Sequence, residues 1–135
     1  MKDLFLPLHP EGWAAPRGYS DGIVAFGRLV FVSGQVGWNP ATAAFESDDF
    51  AAQAEQALAN VATVLRVAGA DPAQLVRMTW YVTDRDAYVA ARGPVGAAYR
   101  RIMGTHYPTM SLVIVAGLLE PRALVEIEAT AVVPA

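Results

Sequence analysis

The chain has 135 residues, of which 54% are hydrophobic and 17% charged, with ten Lys and Arg, two His, no cysteine and a formal net charge of −3. That length suits one domain spanning residues 1–135; the missing cysteines exclude disulfides and thiolate chemistry, and the acidic balance without a basic stripe argues against nucleic-acid binding. No run reaches the ~18 apolar residues of a membrane span and "MKDLFLPLHP" lacks the apolar core of a signal peptide, so a cytoplasmic protein without a membrane partner is expected.

Residues 1–18 are dense in Pro and Gly, which permits a short strand at "DLFLPL" followed by an irregular loop. "IVAFG" and "RLVFVSGQVG" are β-rich runs broken around Gly27 and Arg28, the pattern of a hairpin, and "WNPATAAFES" reads as a loop. From Ser47 the period changes: Phe50, Ala54, Ala57, Leu58, Val61, Val64, Leu65 and Ala68 recur every three or four residues, predicting an amphipathic helix with Ser47 as N-cap and Gly69 as its stop. "ADPAQL" is a turn. "LVRMTWYVTD" then alternates Val76, Met78, Trp80 and Val82 against Arg77, Thr79, Tyr81 and Thr83, a strand. A second helix is expected from near Asp86 to Met103, burying Tyr88, Val95, Tyr99 and Ile102 and kinked at Gly93-Pro94. "GTHYPTM" is a connector, "SLVIVAG" a strand and "LLEPR" a turn. In the last strand, "ALVEIEATAVV", six apolar residues from Ala123 to Val133 share one face and Glu126 and Glu128 share the other. The order predicts an α+β fold, a mixed sheet with two helices packed on one face. The apolar excess predicts that another copy of the chain covers part of the surface.

No phosphate loop, dinucleotide fingerprint, nucleophile elbow or metal-ligand spacing is present, so neither cofactor nor metal is expected; His9 and His106 stand too far apart to form a ligand pair by spacing. The remaining polar signals each have a plain reading. Glu126 and Glu128 form either a solvated face or an acid–base pair, since a carboxylate becomes useful when its surroundings bring its pKa toward the working pH. Ser33 and Gly34 end a strand, where glycine either bends the chain or lets a ligand approach the backbone. Tyr19 is a pocket wall or ordinary packing. Arg92 is a cation on the second helix, by default a surface ion-pair partner, and Trp38 and Trp80 are core or interface residues.

Together, "GYSDGI", "LVFVSGQVGWNP", "AAQAEQALANVATVLRVAGA", "VRMTWYVTD", "YPTMSLVIVAGL" and "ALVEIEATAV" resemble the RidA/YjgF family of small enamine and imine deaminases over residues 17–133. The resemblance implies a chorismate-mutase-like fold, a homotrimer whose sheets form a central barrel, and a small-molecule cleft at each subunit interface. It assigns Glu126 to the attacking water and Glu128 to structure, places Tyr19, Ser33 and Gly34 in the cleft lining, and turns the backbone of Leu112 toward the ligand. One position departs from the pattern. Deaminases of the family carry an arginine in P-x-R-S, whose planar fork grips a substrate carboxylate; here "PTMS" places Met110. Arg92 stands where the family usually has asparagine and supplies a cation from a neighbouring direction. The implied function is an enamine or imine hydrolase of a subgroup without the arginine anchor; the alternative is a non-catalytic small-molecule-binding member.

Overall fold

The computed structural model describes residues 5–135. Among these, six strands, β1 (Phe5–Leu8), β2 (Gly22–Ala25), β3 (Arg28–Val36), β4 (Leu75–Val82), β5 (Thr109–Ile114) and β6 (Val125–Val133), alternate with helices α1 (Phe50–Val67), α2 (Arg85–Ala90) and α3 (Arg92–Met103). Asp3 and Leu4 of the expected first strand lie outside the described residues. The larger sheet has the order β3-β6-β4-β5, while β1 and β2 form a separate antiparallel ribbon.

This order explains why the helices share a face. β3 and β4 both run antiparallel to β6 and are therefore parallel to each other, and β4 pairs with β5 in parallel. Parallel strands require a crossover connection; α1 supplies the first, and α2 with α3 the second. Both crossovers step the same way across the sheet, so the right-handed rule lays both on one side. There α1 packs on β3, β6 and α3. Ala54, Ala57, Leu58, Val61 and Leu65 of α1 meet Met78, Trp80 and Val82 of β4 and Val125, Ile127, Ala129 and Ala131 of β6 in one buried core. The β6 alternation is thus the one expected from the sequence.

Three local expectations are corrected. The hairpin of "IVAFG" with "RLVFV" does not form: β2 pairs with β1, and β3 pairs with β6 from Arg28 opposite Val133. Gly27 switches the chain between sheets instead, at φ +145°, so close to β6 that a Cβ there would lie 2.2 Å from the Val133 carbonyl oxygen. The N-cap of α1 is Asp49, whose carboxylate accepts from the Ala52 amide, while the Ser47 hydroxyl accepts from the Asp49 amide one step earlier. The helix does end at Gly69 (φ +72°); the Gly69 amide donates to Arg66 and the Ala70 amide to Leu65, the paired bonds of a Schellman stop. The second helix, finally, is two helices meeting at Ala91. Pro94 is the third residue of α3, where an amide has no helical acceptor, so its missing N–H costs nothing; its ring excludes the carbonyl one turn back and ends α2.

Two buried amides tie α1 to the rest. Asn60 Nδ2 donates to the carbonyls of Val36 and Trp38. Gln53 Nε2 donates to Ser47 and Arg122 carbonyls while its Oε1 accepts from the Leu124 amide. One side chain thereby holds the start of α1 to the turn entering β6. Leaving a buried donor or acceptor unmade costs about 1–3 kcal/mol, so Gln53→Leu, which leaves three part-buried backbone groups without their partner, is expected to lower unfolding free energy by about 1–3 kcal/mol in denaturant titrations at fixed protein concentration. A loss under about 1 kcal/mol would show that water replaces the amide.

Candidate functional site

A cleft of about 450 Å³ opens on the helix-covered side, at the β4–β5 edge. Tyr19, Arg92, Met110 and Leu112 from the sequence reading line it together, joined by Arg17, Trp80, Tyr88, Tyr99, Arg100 and Tyr107. Each is placed by an identifiable element. Gly18, at φ +76°, turns the loop, and Ser20 pins it, its amide donating to the Pro108 carbonyl and its hydroxyl to the Tyr107 carbonyl. This fixes Tyr19 beside the start of β5. Met110 and Leu112 sit opposite Met78 and Trp80 in the β4–β5 register and so share the core-facing side. Arg92, Gly96 and Arg100 recur every four residues along one stripe of α3. Tyr99 and Tyr107 stack at 5.1 Å with rings 12° apart, and the Tyr99 hydroxyl donates to the His106 carbonyl.

Ser33, Gly34 and Glu126 are elsewhere. The β3–β6 register slips between Val32 and Gln35, a bulge containing Ser33 and Gly34. Glu126 pairs with Tyr81 across β6–β4, on the face opposite Trp80 and Leu112. Its carboxylate lies over Gly34, where a Cβ would stand only 2.7 Å from Glu126 Cδ. The bulge glycine therefore makes room for the acid. Glu128, two positions on, accepts from the Tyr81 hydroxyl at 2.9 Å; this bond, aided by slight desolvation, raises the Tyr81 pKa above its ordinary value. Among the described residues this sheet face has no helix over it. Phe31 is 72% exposed there, with exposed Leu29 on the same strand and exposed Val113 on β5 at the other edge. The seven singled-out residues thus fall into two groups on opposite faces of the sheet.

Sequence reasoning missed Arg17, Arg100, Tyr107 and the cleft role of Trp80. The spacing "RGPVGAAYR" carried the signal for Arg100, because residues eight apart share a helix stripe with the glycine midway. Among the described residues neither Arg17, Arg92 nor Arg100 makes an ion pair, and no cluster of three or more His, Asp or Glu converges as a metal site.

The sequence and the fold match known proteins. The sequence profile described as endoribonuclease L-PSP matches residues 12–133. The chain is 35% identical over 125 residues to a RutC family protein of Haemophilus influenzae, covering 93% of this chain and 95% of that one. It is 30% identical over 115 residues to the 2-iminobutanoate/2-iminopropanoate deaminase of Homo sapiens, covering 84% and 79%. The Rid-family protein YyfB of Yersinia pestis superposes with a TM-score of 0.86 at 33% identity, over 97% of this chain and 100% of that one. E. coli TdcF, solved with bound serine, superposes with a TM-score of 0.70 at 31% identity, over 98% and 99%. The architecture is that of the small Rid proteins; the chain belongs to the RidA/YjgF family.

Tyr99 provides a pH signature of the cleft. Burial, reinforced by Tyr107, pushes its hydroxyl well above the ordinary tyrosine pKa of 10.0. A pKa raised by folding stabilises fully below the unfolded value, and that stabilisation declines as pH rises toward the folded one. Unfolding free energy should therefore fall above about pH 10, and less steeply in Tyr99→Phe; parallel alkaline slopes in chemical denaturation would show that Tyr99 ionises freely.

Proposed function

We propose that this chain is a RidA-type hydrolase that deaminates a small enamine or imine in the cytoplasm, at a site completed by a second copy of the chain within a homotrimer. The observation that carries the reading is the seating of Glu126: a carboxylate laid over a bulge glycine, on a sheet face where the described residues leave Phe31 and Leu29 exposed. Stacking that face against the cleft of a neighbouring copy unites the two residue groups, Glu126, Ser33 and Gly34 from one chain with Tyr19, Arg92, Met110 and Leu112 from the other. The identity to the human 2-iminobutanoate/2-iminopropanoate deaminase supports the chemistry, and a cysteine-free sequence suits a reducing compartment.

In this reaction Glu126 accepts a proton from water as its oxygen bonds to the imine carbon. The proton passes to the nitrogen, giving a carbinolamine; transfer of its hydroxyl proton to that nitrogen then breaks the C–N bond and leaves a carbonyl and ammonia. The Tyr81–Glu128 bond keeps the second glutamate occupied as the acceptor of a hydroxyl from the neighbouring strand β4. A second reading, a binding protein without turnover, is favoured by Met110, since its thioether offers a carboxylate no charged donor.

Ammonia release from enzymatically generated 2-iminopropanoate distinguishes them. Glu126→Gln is expected to lower the rate by about a hundredfold or more, the scale of a positioned acid–base, while Glu128→Gln spares most of it. Equal losses from both changes would remove the distinct role of Glu126, and a wild-type rate no faster than buffer would leave the binding reading. Light scattering should return three times the 14.4 kDa chain mass; a monomer at micromolar concentration would remove the shared site.

A further inference from the structure

The polar groups of the cleft are one-sided. Three arginines, Arg17, Arg92 and Arg100, line it and no Asp or Glu does. Like charges gathered around one cavity repel one another unless an anion joins them. Two of the three are arranged as a pair. Arg92 and Arg100 lie about 12 Å apart along the axis of α3, with Gly96 midway on the same stripe. The Arg100 side chain folds back along this stripe: a Cβ on Gly96 would meet Arg100 Nη1 at 3.4 Å, and no other neighbour within 4 Å. The glycine thereby leaves a seat in which the Arg100 guanidinium lies, on the Arg92 side of its own Cα.

A second, independent observation points to the same ligand chemistry. Trp80, 3% exposed, lines the cleft, and its indole Nε1 is the buried side-chain polar atom without a hydrogen-bond partner among the described residues. An indole nitrogen only donates, and buried donors in folded proteins find acceptors. The unmet demand is for an acceptor, in a cavity already rich in cations. The stacked Tyr99–Tyr107 pair and Tyr88 provide flat aromatic walls, while Met110 contributes an apolar edge.

We infer that the cleft binds a small planar dianion, an aromatic or conjugated molecule with two carboxylate or phosphate groups, one on each guanidinium of the Arg92–Arg100 pair. The anion-binding role thus resides on helix α3 and the β1–β2 loop that carries Arg17 instead of on strand β5, and Met110 is accommodated because the charge is met from the opposite wall. Gly96 becomes a specificity residue, since a longer side chain there would fill the seat. The inference takes the cleft as the ligand site, as the proposed function does, but does not depend on hydrolysis.

Calorimetric titration of the intact protein with isophthalate, benzoate and benzamide tests it, since these share a ring and differ in charge. Isophthalate is expected to bind about tenfold or more tighter than benzoate, with benzamide weakest, and its affinity should fall as salt rises. Arg92→Gln and Arg100→Gln should each weaken isophthalate about tenfold while leaving benzamide and the circular dichroism spectrum unchanged; Arg92→Lys should recover part of the loss. Gly96→Glu, which places a carboxylate in the seat, should mimic the double loss. Benzamide binding as tightly as isophthalate, indifference to both arginine changes, or no isophthalate binding up to about 10 mM would each overturn the inference. Dianion binding without ammonia release removes the hydrolase and keeps this site; ammonia release without charge preference does the reverse.

Discussion

The two-residue repeat of β6 is the constraint on which the structure depends. This strand is hydrogen-bonded on both edges, to β3 and to β4, and its residues alternately enter the core or face away from it. Val125, Ile127, Ala129 and Ala131 are buried while Glu126 and Glu128 point to the other side. A slip of one residue would drive both carboxylates under α1 and expel the whole apolar row. Few alternatives survive that penalty, so fixing this one strand fixes the register of its two neighbours, and they in turn fix where each crossover helix lands.

The same alternation divides the chemistry. The helix side receives the cleft and its cations; the bare side receives the carboxylates, with the bulge at Ser33 and Gly34 giving Glu126 its place. Neither side holds a complete acid–base and binding set by itself. The division makes sense of an otherwise odd composition, in which large apolar side chains such as Phe31 are left in contact with water. They belong to a surface whose second half is another chain under the proposed arrangement.

Much of this was legible in the residues. Long periodic segments, α1, β4 and β6, can be read directly because their pattern reports burial against something, whatever that something is. Strand partners are different. "IVAFG" next to "RLVFV" reads as a hairpin, yet Gly27 carries the chain into another sheet, and nothing local reveals that β6 is waiting there. The cap of α1 moved from Ser47 to Asp49 because three consecutive residues, Ser47, Asp48 and Asp49, all suit the role and only geometry selects among them. In the site, Tyr19, Arg92, Met110 and Leu112 converge because loop, helix and strand meet at one edge. Arg17 and Arg100 escaped notice because a lone arginine in sequence looks like solvated surface; only its convergence with others gives it meaning.

The absence of a β2–β3 hairpin also affects how the chain reaches this structure. The centre of the larger sheet joins residues from nearly opposite ends of the sequence, Arg28 with Val133, and that strand is the last of the six to be synthesised. Contacts of such long range require closure of a large loop before any bond repays it, which slows folding relative to a chain built from local hairpins. Until β6 arrives, β3 has no partner on either edge among the described strands. The helices, whose contacts are local, can form early, leaving a nascent chain in which α1 waits with its apolar face uncovered; this places the window of greatest aggregation risk late in synthesis, when β3 displays Leu29 and Phe31 along an open edge.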